Sequence, residues 1–428
     1  MADSGSRLSR IQMFRALRHR NFRWFWISGL GQSAAQGMRL FALPWLVLEL
    51  TGSLTQLGLV IFMQGLPMAI VALAGGVLAD RYDRRMLLVW SQVLTMSTLI
   101  ALATLAATDR VELWHIYGTS FIAGGSQSLS MPARQAYVRS LVDRDDVMNA
   151  VALNSMLMTS AMIIWPSVAG ALVQFFGMGP TLYVNAACFI VGIGGLFFMR
   201  GVPGVDVAHA MPLHKMMVEG FRYSLNTPII FAIMALSMAI ATLGMPYMNL
   251  VPGFARQIFG MGAGQAGLLM MFGGIGALIG HVVLASMTVR HKNRLFVGLG
   301  FTLALGLLGF AANPWYYASF LLMMVLGMAG SAVPLVGNSI MLVVVPPHLL
   351  GRVVSIWAFT AGFISMAALP IGFLGEVYGL RWSLGGAAAI LLLFVIWLGV
   401  IWSPLRKPFG EAEPYEFLAK AADRPTEL

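Results

Sequence analysis

FRWFWISGLGQSAAQGMRLFALPWLVLE, residues Phe22 to Glu49, is the first long apolar run of the chain. A helix of about 20 residues crosses the hydrocarbon core of a bilayer, so this run is long enough to span one. Three polar side chains interrupt it at telling positions. Gln32, Gln36 and Arg39 are spaced by four and then three residues, which puts them on one helical face. A charge near mid-bilayer costs at least about 2.5 kcal/mol on insertion scales, and is usually paired or lines a water-filled cavity. The run therefore predicts a transmembrane helix with a polar stripe turned towards a bundle interior.

Similar runs recur to the end of the chain, near 54–79, 86–107, 113–131, 148–176 and 180–199, and again near 229–252, 264–289, 295–312, 315–345, 353–376 and 381–403. The expected fold is an all-α membrane protein, with twelve transmembrane helices in two pseudo-symmetric six-helix bundles. The domain layout that follows is an N-terminal segment 1–21, a first bundle 22–199, a linker 200–228, a second bundle 229–404 and a tail 405–428. Composition agrees: only 10% of the 428 residues are charged and 58% are hydrophobic, against roughly 25% charged in soluble domains. The 47 glycines and 19 prolines would weaken soluble helices, but membrane helices tolerate both.

A net charge of +10 suggests nucleic acid until the charges are placed. With the N terminus inside, 23 of the 27 Lys and Arg residues fall on the cytoplasmic side, among them Arg134 in the loop after the fourth run, while Arg110, Arg256 and Arg381 fall outside. That asymmetry is the positive-inside signal. It predicts a multi-pass protein of the bacterial inner membrane with both termini cytoplasmic and no nucleic-acid partner. The single cysteine, Cys188, excludes an intramolecular disulfide and a CxxC site. No HExxH, GxSxG, GxxxxGK[ST] or EF-hand pattern occurs, which argues against an enzyme, an ATP-driven pump and a bound cofactor or metal.

The halves echo one another. Gly76 and Gly280, Gly125 and Gly330, and Pro166 and Pro370 are each 204 or 205 residues apart, as expected of parallel repeats. Between the halves, Leu213, Met216, Met217, Gly220 and Phe221 follow a helical period, which predicts a short amphipathic helix on the cytoplasmic face.

The connection between the second and third runs reads GGVLADRYDRR, Gly75 to Arg85. It resembles the cytoplasmic signature of the major facilitator superfamily, with Asp83 where a second glycine is usual. The resemblance implies a gating role for Gly76, Asp80, Arg81, Arg84 and Arg85, which in that superfamily latch the two halves in one state. The segments LRHRNFRWFW, LPWLVLELTGS, SMPARQAYV and LLGRVVSIW, the last containing Arg352, are similar to the bacterial exporter branch that holds the enterobactin exporter and macrolide-efflux relatives. In the fifth run WPSVAG, with Pro166 and Gly170, partly resembles an antiporter signature, although Trp165 replaces its glycine. The intramembrane arginine of drug exporters has no counterpart between Leu113 and Met131.

These readings lead to a secondary active transporter, a proton-coupled exporter of a small amphipathic or anionic molecule, acting as a monomer by alternating access. A lipid translocator is the alternative, and a non-transporting receptor or enzyme the second alternative. Candidate substrate residues are Gln32, Gln36, Arg39, Gln64, Gln127, Asn154, Asn249, Asn338 and Trp357. No acid lies deep in a predicted span, so Arg39 faces either an anionic substrate or backbone carbonyls and amides. Glu49 and His281 are the candidate coupling residues, His281 because imidazole titrates near neutrality; a histidine satisfied by its neighbours is the other reading.

Overall fold

The computed structural model describes residues 12–81, 83–200, 221–286 and 291–401. Its helices are α1 (Arg20–Thr51), α2 (Leu54–Arg81), α3 (Arg84–Ala107), α4 (Leu113–Ser140), α5 (Val147–Ile163), α6 (Trp165–Phe176), α7 (Met178–Phe197), α8 (Pro228–Ala239), α9 (Tyr247–Gln257), α10 (Ala263–Ser286), α11 (Lys292–Ala312), α12 (Tyr316–Val344), α13 (Pro347–Tyr378) and α14 (Leu380–Ile396). Within the described residues every predicted run coincides with helix, and no strand occurs among them. The amphipathic segment between the halves lies largely outside the described residues, although 221–226 are helical.

Prolines account for the two breaks. Pro166 has no N–H for the Met162 carbonyl, so the fifth run divides at Ile164 into α5 and α6. Ahead of Pro246 the seventh run widens into a π-turn over Ile240–Gly244, closed by Met245 N–H donating to the Ile240 carbonyl at 2.8 Å. Among the described residues, eight stretches, including the joined Val147–Phe176 and Pro228–Gln257, are long and apolar enough to cross a bilayer. Their outward surface is correspondingly apolar. Trp382 is 79% and Tyr317 81% exposed, with Trp114, Phe175, Trp315 and Tyr378 also exposed, and all six lie at the end of the bundle where α1 turns into α2. Such an aromatic girdle marks a membrane interface.

Small residues bring the two halves together. A Cβ added to Gly58 on α2 would lie 2.7 Å from the Ala368 carbonyl on α13, and one on Gly372 would lie 2.5 Å from the Leu54 carbonyl. The other seam is the counterpart of the first. A Cβ on Gly170 of α6 would lie 2.5 Å from the Ala263 carbonyl of α10, and one on Gly267 would lie 2.9 Å from that of Pro166. Exchanging the halves converts one seam into the other, the second and eleventh runs for the eighth and fifth. The carbonyl that Pro166 cannot engage, that of Met162, faces Gly274 on α10.

One expectation is corrected here. Arg134 is not in a loop, because α4 continues to Ser140 and holds it 3% exposed. Its guanidinium lies over the Phe25 ring at 4.8 Å, with Nη2 donating to Ser28 Oγ at 3.5 Å. Counting arginines by the edge of the apolar run misplaces it, because a long side chain can lie against a neighbouring helix with its charge over an aromatic face.

Candidate functional site

The polar stripe of α1 finds its partners on α3 and α4. Gln32, Gln36 and Arg39 line a crevice with Ser91, Gln92 and Thr95 of α3, Ser126, Gln127 and Ser130 of α4, and Phe189 of α7. Its free volume is about 20 Å³, room for about one water molecule. Arg39 is 5% exposed, and its Nη2 donates to Gln127 Oε1 at 3.4 Å. With its amide turned to satisfy both ends, Asn185 of α7 accepts from the Arg39 backbone N–H and donates to the Ala35 carbonyl. Gln92 is 2% exposed and neither of its amide atoms has a partner; Gln32 Oε1 is likewise buried and unpaired.

Sequence spacing found the α1 face but not the α3 face. Ser91, Gln92 and Thr95 also repeat at helical intervals, yet Ser91 and Thr95 donate to carbonyls of their own helix, a habit common to membrane helices. Arg134 was missed as well; in SMPARQAYV its only signal was an arginine following a run of small and hydroxyl residues.

The other candidates are dispersed. Gln64 on α2, Asn249 on α9 and Asn338 on α12 are half-buried outside this crevice, as is Asn154 on α5, whose Oδ1 is unpaired. Trp357 on α13 donates from Nε1 to Ser237 Oγ at 3.1 Å. Glu49 is exposed and accepts from Trp45 Nε1 at 2.8 Å. His281 is half-buried on α10, next to the exposed Val282. Among the gating residues, the side chains of Gly76, Asp80 and Arg81 lie outside the described residues. Arg84 is half-buried, and Arg85 donates from Nη2 to the Phe197 carbonyl at 2.9 Å, closing the C-terminal end of α7 within its own half. Arg352 is half-buried on α13. Pro166 and Gly170 form the α6–α10 seam.

At the end where α1 turns into α2, four hydrogen bonds among the described residues join the halves. Ser53 Oγ donates to Glu376 Oε2 at 2.5 Å, and the Thr55 N–H to the same oxygen at 2.7 Å, so a carboxylate of α13 caps the N terminus of α2. Gln257 Nε2 donates to the Gly52 carbonyl at 2.8 Å, and the Gly264 N–H to Gln174 Oε1 at 3.0 Å. Arg256 stacks over Trp45 at 5.7 Å beside them. An apolar groove of about 930 Å³ opens on the flank between the π-turn, α13 and α14, walled by Thr242, Leu374, Tyr378, Trp382 and Ile390.

This architecture is shared with solved transporters. The nucleoside transporter NupG superposes with a TM-score of 0.69 at 15% identity over 90% of this chain and 99% of that one. A bacterial homolog of the human lysosomal transporter Spinster, inward-facing and unoccupied, gives 0.66 at 16% identity over 95% and 100%, and a POT family transporter in complex with a thioalcohol conjugated peptide gives 0.72 at 12% over 92% and 100%. The fold, the family match over residues 11–414 and the similarity to a known exporter together make this chain a membrane-integral transporter of the major facilitator superfamily. Within it, the family model described as transmembrane secretion effector matches residues 11–414, and the chain belongs to that family. It is 26% identical over 392 residues to the enterobactin exporter EntS of Escherichia coli O81 (strain ED1a), covering 90% of this chain and 92% of that protein, and EntS of Escherichia coli O9:H4 (strain HS) matches to the same extent.

Proposed function

We propose that this transporter is a secondary active exporter of the bacterial inner membrane, working by alternating access and driven by protons, with a small amphipathic or anionic cargo such as a siderophore, drug or metabolite. Twelve crossings, two bundles covering 22–199 and 229–404, and cytoplasmic termini are part of the same reading. The observation that carries it is the sealed end: four hydrogen bonds join the halves at one mouth, around two glycine seams that let the halves rock. With the basic segments cytoplasmic, the sealed mouth faces outward and the passage faces the cell interior. Gln32, Gln36 and Gln127 form the polar wall of that passage, with Arg39 as the charge behind it. Asp80 to Arg85 and Arg352 latch the opposite mouth in the alternate state. Similarity to the enterobactin exporter supports the outward direction. Glu49 and His281 are the groups through which protons act.

A lipid translocator is the second reading, favoured by the apolar groove of about 930 Å³ on the flank. Proteoliposome flux separates the two. Outward-directed transport of a catechol-type siderophore or a macrolide that collapses when the pH gradient is dissipated supports the exporter. Phospholipid or lysolipid movement without solute flux replaces it with the translocator.

A further inference from the structure

The crevice walled by Arg39, Gln92 and Gln127 has an electrostatic deficit. Arg39 brings a full positive charge to a place where it is 5% exposed, and none of the lining residues is acidic. Its one side-chain bond is to a neutral amide oxygen at the long distance of 3.4 Å. Glu49, the acid of the same helix, is ten residues away, about 15 Å along a straight helix, and is engaged by Trp45. A buried guanidinium without a counter-charge is strongly destabilising, so something further is required to balance it.

Gln92 supplies the second, independent sign. It is 2% exposed, packs against Gly192 of α7, and has no partner for either amide atom. Buried amides are almost always hydrogen-bonded. Gln32 presents another unpaired amide oxygen, and a half-turn of either amide offers N–H in place of oxygen. The free space of about 20 Å³ suits one small occupant of water or halide size. Water satisfies amides but not charge.

We propose that this crevice is a binding site for one small monovalent anion of halide size, held by the Arg39 guanidinium and the turned amides of Gln92 and Gln32, and that this anion is the resident counter-ion of Arg39. The site is formed by the first half of the chain alone, within the polar wall assigned to the proposed passage. An anionic group could come from the medium as a free halide or from an organic acid, and the two sources separate by size.

The test uses full-length protein in nanodiscs of a neutral phosphatidylcholine, with radioactive chloride binding as the readout. Saturable binding of one chloride per chain is expected, displaced by bromide and formate but not by benzoate. Thermal unfolding at constant ionic strength is expected to occur at a higher temperature in chloride than in gluconate. Gln92→Leu is expected to weaken chloride binding by more than about tenfold, the loss of one hydrogen bond to a charged group, and Arg39→Gln to abolish it. Should Arg39→Gln fail to fold, Gln92→Leu and the gluconate comparison decide. No chloride bound to wild-type protein, a crevice that holds water alone, equal binding in Gln92→Leu, or binding of benzoate in preference to halide each overturns the proposal.

Discussion

Arg39 and Arg134 are both more than nine-tenths buried, yet their surroundings give them different work. Arg134 lies between helices, over Phe25 and beside Gly29 and Leu157, where packing and a cation–π contact of about 0.5 to 2 kcal/mol hold it. Arg39 faces a crevice of amides and hydroxyls. Arg39→Ala is therefore expected to reduce transport by at least about tenfold, the effect of about 1.4 kcal/mol, with folding retained and partial rescue by Arg39→Lys. Wild-type flux in the alanine variant removes Arg39 from the passage. Arg134→Ala acts instead on assembly, lowering the yield of folded protein more than the turnover of what survives. Glu376 offers a third test at this scale, since one carboxylate oxygen receives two hydrogen bonds from the opposite half. Glu376→Gln is expected to weaken the seal and raise alkylation of a cysteine placed at Asn249, in a background where Cys188 is replaced by alanine; unchanged labelling argues against a gate at that mouth.

At the scale of elements, the glycines of the two seams set how closely the halves approach. Gly170 and Gly267 meet directly, since a Cβ on Gly267 would lie 3.3 Å from Gly170 Cα, and each also faces backbone carbonyl. Backbone cannot rotate aside as a side chain can. Gly170→Val is expected to cost about 1 to 3 kcal/mol of overpacking and to lower flux while the protein still inserts, measured as transport per folded molecule; normal flux shows that the α6–α10 seam does not move. The breaks at Ile164 and over Ile240–Gly244 each lie beside a proline, Pro166 and Pro246. Hydropathy alone reads 148–176 and 229–252 as unbroken runs, because it averages across a break that leaves the apolar character unchanged.

At the scale of the whole molecule, the proposed alternating-access cycle requires the mouth bridged by Ser53 and Glu376 to open. Cysteines at positions 53 and 376, in a background with Cys188 replaced by alanine, are expected to react with a short bifunctional maleimide and abolish flux, whereas each single cysteine retains it. Full transport by the cross-linked protein shows that this mouth need not open. What the amino-acid order determined by itself was the solvent: long apolar runs, few charges and the distribution of arginines specify a helical membrane protein, since unpaired backbone in hydrocarbon leaves little but helix. It also determined that Gln32, Gln36 and Arg39 share a face, because helical geometry is local. Which helix meets that face was decided only by tertiary packing. Gln92 and Arg39 are 53 residues apart, and nothing in either run states that α3 and α4 close on α1. The Ser53–Glu376 latch was equally hidden, since its partners are 323 residues apart and meet because glycine seams align the ends of two helix pairs. Periodicity reports the direction a side chain takes from its own helix; its partner depends on how close the other helices can come.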